Sequence, residues 1–297
     1  SNPAVVGDPC VVAGYFTAGD GGGGSFNYSL GSSSPTNFGT VFSALGGRWL
    51  RDYVDPVDIR WFGALPSAPG STNNVRFRFQ EALNHADEIL VTNGTYWVQV
   101  DVPGTAWTTN TLKLHDGSRL TLSTGTVVSA IPPAGYSNIY CILTTLTTNG
   151  TFATNVVLNG RGGSLVGYHF VTNFATKSIG HGVLFNGEGI VVTNLLLSTF
   201  KTCLSVGGTN ITVANVMATA GGNNTAAVTS GKNISFVDSI FSNCQREDEN
   251  SPAAGIDVEP NADETVEDIS FTRCVFDGND GIGLYIQKGA GNPPLNV

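Results

Sequence analysis

The chain has 297 residues, of which 41% are hydrophobic and 12% charged, and its formal net charge is -9 at pH 7. This length supports one large domain or two ordinary ones with a sizeable core, which excludes a mini-protein. The negative charge would repel phosphate backbones, and no Lys/Arg cluster offsets it locally, so we expect no nucleic-acid partner. No apolar run approaches the roughly 18–20 residues that span a bilayer, so we expect no membrane insertion.

The residue types favour strands and turns over helices. There are 38 glycines and a single Met, together with many Ser, Thr, Asn and Val residues. The five cysteines include no CxxC pair, and the four histidines have no metal-ligand spacing. We therefore predict a mostly β protein without a metal site or other cofactor.

The first 55 residues contain the glycine-rich stretch GDGGGGSFNYSLGSS, which predicts a flexible or tightly turned segment. This stretch lacks the Lys-Ser/Thr ending of a phosphate loop. Next, VDIRWFGAL from Val57 predicts a strand that enters a core. The spacing of Phe79 and Leu83 then predicts a helix, and the alternation of Ile89 and Val91 before the turn NGT predicts a strand.

From about residue 150 onward, the sequence repeats a short alternating strand, a polar corner and a second apolar strand. The four units are GIVVTNLLLSTF, NITVANVMATA, NISFVDSIFSN and DISFTRCVFDGN. Their leading isoleucines, at positions 190, 211, 234 and 269, are 21, 23 and 35 residues apart. Such periods without helices indicate a solenoid, here with one insertion, and the upstream helix would cap its end. The corner is Asn194, Asn215 or Asp238, residue types that tolerate a tight turn, while Arg273 departs from this pattern.

A third strand closes each coil, in CLSVGG, AAVTSG, GIDVEP and GLYIQKG. Because side chains alternate along a strand, two apolar columns are predicted to point inward. One column contains Leu204, Ile256 and Leu284, and the other contains Val206, Val258 and Ile286.

Asp257 and Glu259 lie between inward residues, so we predict that both project into solvent from the outer face, roughly 6–7 Å apart along the strand. In the same register, Tyr285 stacks after Asp257 and Gln287 after Glu259, with Lys288 following. The insertion adds QREDENSP just before the acids, which predicts a loop that overhangs this face.

Several stretches follow one another in a recognisable order: GDGGGGSFNYS, GTVF, GRWLR, VDIRWFGA, FQEALNHADEILVTNGTYWV, AGIDVEPN and CVFDGNDGIGLYI. Together they resemble the pectate-lyase-like family of right-handed parallel β-helix proteins, in the version found in bacteriophage tailspikes. The segment LPSAPGSTNNVR departs from the family, which usually has a Gly-Asp-Gly turn and Asp-Thr before the helix.

The resemblance implies an all-β fold: a right-handed parallel β-helix over residues 56–297, an N-terminal capping helix, and a glycine-rich head or attachment region over residues 1–55. It also implies a virion tail or extracellular location, a homotrimer, contacts with other tail proteins, and a bacterial surface polysaccharide that is bound and often cleaved. Family membership does not choose between hydrolysis and β-elimination.

Two carboxylates at this spacing suit an inverting glycosidase, in which one acid protonates the leaving oxygen and the other activates water. Like-charge repulsion would keep Asp257 or Glu259 protonated, and Tyr285 would stack on a sugar ring or donate a proton. Gln287 and Asn261 would hold hydroxyl groups.

In a lyase, a base removes the proton beside a uronate carboxylate and a cation neutralises that carboxylate. Arg246, Lys288 and Tyr285 suit those roles. Three interpretations without cleavage of the polymer remain open as well. They are an isomerase that acts on the polymer without cutting it, an adhesin, and a structural subunit of a virion appendage. In the last two, the acids would be an ordinary solvated strand face.

Overall fold

The computed structural model describes residues 9–68, 73–99, 111–131, 141–146, 150–167, 181–246, 252–260 and 263–288. Over these residues, a small antiparallel sheet precedes a parallel β-helix whose strands stack in three sheets. The predicted fold class, an all-β parallel β-helix with an N-terminal helix, is confirmed. In the part of the chain that is described, no helix is long and apolar enough to cross a membrane.

The N-terminal sheet has the strand order β1-β2-β4-β3. Its strands are β1 (Pro9–Val12), β2 (Gly24–Leu30), β3 (Val41–Ala44) and β4 (Gly47–Arg51). The Arg51 guanidinium lies over the rings of Phe26 and Trp61 and donates to the carbonyl oxygens of Gly22 and Gly23 at 2.8 and 2.7 Å. The glycine stretch is therefore tightly turned against the beginning of the β-helix.

The entry into the β-helix differs from the prediction. β5 (Val57–Asp58) is only two residues long and leads into a 3-10 helix (Ile59–Phe62). The chain turns because the Asp58 carboxylate accepts a hydrogen bond from the Arg60 backbone N–H at 2.9 Å, which caps the helix. The predicted helix is present as α1 (Arg76–His85) and buries Phe79, Ala82 and Leu83.

Each coil of the β-helix passes through three sheets in turn. Sheet I contains β5, β6 (Glu88–Val91), β9 (Arg119–Leu122), β12 (Val157–Asn159), β15 (Val191–Thr193), β18 (Thr209–Ala214), β21 (Gly231–Val237) and β24 (Val266–Thr272). Sheet II contains β7 (Gly94–Gln99), β10 (Thr126–Ile131), β13 (Ser164–Val166), β16 (Leu196–Ser198), β19 (Met217–Thr219), β22 (Ile240–Ser242) and β25 (Val275–Asp277). Sheet III contains β8 (Leu112–Lys113), β11 (Leu143–Thr144), β14 (His181–Phe185), β17 (Thr202–Val206), β20 (Asn224–Val228), β23 (Ala254–Val258) and β26 (Leu284–Ile286).

The register predicted for sheet III is confirmed. Ile256 pairs with Leu284, Asp257 with Tyr285, and Val258 with Ile286. Ile256 and Val258 are completely buried, but Leu284 is only half-buried and Ile286 is 45% exposed. The prediction of burial was wrong for Ile286 because β26 is the edge strand of its sheet in the described part of the chain, so no further strand covers it.

The predicted polar corners lie between sheets I and II, and the tight turn there is a left-handed backbone conformation. The φ angles of Asn194, Asn215 and Asp238 are 54°, 52° and 50°. Arg273 adopts the same conformation with φ 53°, and its guanidinium binds the Asp238 carboxylate one coil below, with Nε–Oδ1 at 2.5 Å. An ion pair therefore continues the polar corner where the sequence departs from Asn and Asp.

Replacing Val258 with Asp would place a carboxylate inside the stack, so we expect a loss of about 3–5 kcal/mol in the free energy of unfolding. Val237→Asp is a matched control, since Val237 occupies an outward position in β21 and is half-buried. Urea denaturation of both variants checks the register. Equal stability of the two would mean that the inward and outward positions are wrongly assigned.

Candidate functional site

An open pocket of about 540 Å³ lies on the outer face of sheet III. It is formed by β23, β26 and the residues that directly follow them, by the residues that precede β20 and β26, and by the connection between β22 and β23. The lining residues are Asn223, Arg246, Pro252, Asp257, Glu259, Ile282, Tyr285 and Gln287. The fold thus gathers side chains that are up to 64 positions apart in sequence.

Most of the side chains chosen from the sequence meet in this pocket, namely Asp257, Glu259, Tyr285, Arg246 and Gln287. Lys288 is exposed and is not among the lining residues, so the proposed contact of Lys288 with the substrate has no support from this geometry. Asn261, the remaining candidate, lies outside the described residues.

Asp257 is not the solvent-exposed acid that alternation alone predicted. Its side chain projects outward between Ile256 and Val258, yet the residue is only 9% exposed. Pro252 and Ile282, from the connections that precede β23 and β26, line the same pocket. Asp257 is therefore a buried acid within a pocket, where Glu259 is half-buried.

This environment changes the acidity of Asp257. Burial, followed by the nearby negative charge of Glu259, raises the pKa of the Asp257 carboxyl from 3.8 to about 6. A hydrogen bond from Asn224 Nδ2 to Asp257 Oδ2, at 3.2 Å, acts in the opposite direction and limits the rise. A carboxyl group with such a pKa exchanges protons near neutral pH, as a general acid or base must.

Tyr285 and Gln287 form the neighbouring part of the pocket. Tyr285 stands beside Asp257 on the adjacent strand, and its hydroxyl donates a hydrogen bond to Gln287 Oε1. Tyr285 is half-buried, so part of its side chain reaches solvent. An aromatic face next to hydrogen-bonding groups is typical of carbohydrate sites.

Arg246 is the one positively charged residue among the lining side chains of the described chain. The next coil holds its backbone in place, because Arg246 N–H donates to Asp280 Oδ2 at 3.1 Å and Cys244 N–H donates to Asn279 Oδ1 at 2.9 Å. A guanidinium in this position can neutralise an anionic group of a ligand.

Sequence reasoning missed Asn224, which binds Asp257 and is 4% exposed. The available signal was the pair Asn223–Asn224 at the beginning of an otherwise apolar strand, a polar residue at a position that the fold buries. Pro252 and Ile282 were also missed, since each belongs to a connection whose path the repeat does not predict.

The family comparison concerns the N-terminal sheet. Residues 1–54 match the family described as phage tail protein small four-stranded beta-sheet domain. These residues include β1–β4, which form a four-stranded sheet in this protein. A search of the curated proteins found no match.

Two solved structures share the fold over much of the chain. Tailspike protein gp49 from Acinetobacter baumannii bacteriophage Fri1, a capsular polysaccharide depolymerase, superposes with a TM-score of 0.74 at 14% identity, over 99% of this chain and 54% of that one. PfbA, a surface adhesin of Streptococcus pneumoniae, has a TM-score of 0.55 at 11% identity, over 73% of this chain and 56% of that one. The chain thus spans about half the length of the tailspike. Its fold is tailspike-like, with a small antiparallel sheet followed by a parallel β-helix.

The raised pKa of Asp257 predicts a specific pH dependence of stability. The folded state disfavours the ionised carboxylate, so the free energy of unfolding should fall as pH rises from 3.8, the unfolded value, through about 6. In the Asp257→Asn variant, residue 257 cannot ionise, so the free energy of unfolding should not fall for this reason as pH rises. With solvent screening included, we expect the variant to gain about 1–2 kcal/mol over the parent between pH 3.5 and pH 7.

Denaturant titrations at both pH values measure this difference, with Asp277→Asn on exposed β25 as the control. A parent and an Asp257→Asn variant whose stabilities change in parallel with pH would contradict the buried position of Asp257.

Proposed function

We propose that this protein binds a bacterial surface polysaccharide in the sheet III pocket and depolymerises it. The observation that carries the proposal is the pocket itself, in which two carboxylates, one of them buried, stand beside a tyrosine and an arginine. The tailspike-like fold supports the same conclusion, and the solved tailspike that it resembles is a capsular polysaccharide depolymerase.

Hydrolysis with inversion suits this pair best. Asp257, whose pKa is about 6, protonates the glycosidic oxygen, and Glu259 accepts a proton from the attacking water. Asp257 lies on β23 and Glu259 directly follows it, two residues along the chain. Their backbones are separated by roughly 6–7 Å, a spacing compatible with carboxyl groups far enough apart to admit that water. Tyr285 stacks on the sugar ring and Gln287 binds a hydroxyl group.

A lyase is the second candidate, and Arg246 is the observation that favours it. Its guanidinium would neutralise a uronate carboxylate while Tyr285 or Asp257 removed the neighbouring proton. The products separate the two reactions, since only β-elimination yields an unsaturated uronate that absorbs ultraviolet light.

An adhesin or a structural subunit of a virion appendage would use the same fold without cleavage, and PfbA is a surface adhesin with this architecture. Isomerisation of the polymer without cutting is a further alternative, which sugar analysis of the treated polymer would reveal. The buried Asp257 favours catalysis, because a purely solvated strand face has no need to bury a carboxylate.

The N-terminal region has a separate role in this proposal. The match to a phage tail β-sheet domain supports a location in the virion tail, with residues 1–55 as the head that attaches to other tail proteins and residues 56–297 as the β-helix domain. Arg51 joins the head to the β-helix through its contacts with Phe26 and Trp61.

To test catalysis, Asp257→Asn and Glu259→Gln are incubated with capsular and O-antigen polysaccharides, and the release of reducing ends or unsaturated products is measured. We expect turnover to fall roughly 100- to 10,000-fold in each variant, the usual effect of losing a general acid or base. Asp277→Asn serves as the matched control and should retain parental activity.

Thermal melts establish that each variant is folded. A parent protein that binds a polysaccharide without altering it would support the adhesin. Full activity in both variants would contradict a catalytic role for the two acids.

We propose further that the chain forms a homotrimer, with copies in contact through sheet II. Outward side chains of four successive strands in this sheet form an apolar column: Leu196, Met217, Ile240 and Val275. Met217 is 40% and Val275 50% exposed. With strands about 4.8 Å apart, the column is about 14 Å long.

Charge favours a second copy of this chain as the occupant of sheet II. The described strands of sheet II contain one charged residue, Asp277, whereas those of sheet I present Glu88, Arg119, Lys232, Glu267 and Asp268. Because each copy has a net charge of -9, copies can approach most closely where neither presents charge. The number of three copies rests on the resemblance to tailspikes.

Met217→Glu combined with Ile240→Glu should convert the assembly to monomers, because it places like charges within the proposed contact. Light scattering gives the mass of the parent and the variant. Val191→Glu, an outward substitution on sheet I, is the control and should leave the mass unchanged. A monomeric parent, or a trimer that survives both glutamates, would contradict this interface.

A further inference from the structure

Asn224 is a buried residue at the beginning of β20, one strand before the strand that carries Asp257. It is 4% exposed, and its Nδ2 donates to Asp257 Oδ2 at 3.2 Å. Neither Asp257 Oδ1 nor Asn224 Oδ1 has a hydrogen-bond partner among the described residues, although both atoms are buried. The two oxygens of the Asp257 carboxyl group therefore have different surroundings.

This asymmetry determines where a proton can reside. An oxygen that accepts an N–H donor from Asn224 cannot hold a proton along the same direction without bringing two hydrogens into contact. The proton of the neutral acid is then favoured on Oδ1. The same bond stabilises the ionised form, because a donor that faces a carboxylate favours its negative charge.

We propose that Asn224 is a positioning residue that fixes the Asp257 carboxyl group through Oδ2 and stabilises its ionised form. The proposal rests on the proposed function, in which Asp257 transfers a proton, and it names a further residue on which the reaction depends. Asn224 itself need not touch the polysaccharide, since it is not among the residues that line the pocket.

The other groups that face Asp257 account for the rest of its environment. Glu259 lies two residues along the chain from Asp257, Tyr285 is the partner of Asp257 on β26, and Arg246 lines the same pocket. Glu259 acts to raise the pKa of Asp257, and the Asn224 donor is the contact that lowers it. Loss of Asn224 should therefore shift the titration of Asp257 upward.

The experiment measures this titration directly in the full chain. Protein labelled with ¹³C at the aspartate carboxyl carbon is titrated by NMR, and the Asp257 signal is assigned by its loss in Asp257→Asn. Asn224→Ala removes the donor, and Asn224→Leu removes it while retaining the side-chain volume, in case the smaller residue unfolds the protein. We expect the pKa of Asp257 to rise by about 0.5–1 unit in both variants.

Thr202→Val is the matched control. Thr202 pairs with Asn224 on the strand before it and is likewise buried, at 3% exposure, but it is not bonded to Asp257. This control should leave the titration of Asp257 unchanged. An unchanged or lowered pKa of Asp257 in the folded Asn224 variants would overturn the proposal, since a lowered value means that the amide accepts from the neutral acid.

Activity supplies a second measurement. In the Asn224 variants, the limb of the pH–rate profile that reports Asp257 should move to higher pH by the same amount as the pKa of Asp257. The value of kcat should fall about tenfold with little change in KM. An alkaline limb that moves identifies Asp257 as the acid, and an acidic limb that moves identifies it as the base. If no polysaccharide is cleaved, the proposed function fails, while the NMR titration still decides the role of Asn224.

Discussion

The left-handed corner after the last four strands of sheet I fixes the direction of every side chain that follows it. Asn194, Asn215 and Asp238 adopt this conformation at equivalent positions, with φ between 50° and 54°. A left-handed backbone costs most residues roughly 1–2 kcal/mol, and Asn and Asp least. Because strand side chains alternate, one extra residue at a corner would turn the following strands over and point Asp257 into the core. The pocket on sheet III therefore depends on the backbone conformation at the corner between sheets I and II.

Sequence alone predicted this arrangement where the period was regular. The inward columns and the pairing of Asp257 with Tyr285 followed from alternation, because burying Val258 leaves its neighbours only the outer face. The predictions failed where local chemistry interrupted the period. Asp58 ended a strand by capping a 3-10 helix, and Ile286 lost its cover at the edge of a sheet. Alternation predicts the face of the sheet to which a side chain points, but it does not predict whether a neighbouring strand or loop covers that side chain.

The same reasoning explains why the site was only partly predicted. Asp257, Glu259, Tyr285 and Gln287 belong to strands or follow them directly, so their register was visible in the sequence. The burial of Asp257 was not visible, because it depends on walls from irregular connections that no repeat determines. Asn224 was different: a polar residue at a buried position in a strand conflicts with the pattern, and such conflicts concentrate at functional sites.

The pocket also requires more than one coil. The connection that carries Arg246 leaves sheet II in one coil, but the hydrogen bond from its backbone goes to Asp280 in the next. Asn279, beside Asp280, binds back to the Phe241 carbonyl oxygen at 3.1 Å, so the two connections hold each other. The backbone of Arg246 is therefore held in place only after the coil of β26 has stacked on that of β23. In a solenoid, where each coil is stabilised chiefly by its neighbours, this makes the geometry of the site inseparable from the stacking that forms the core.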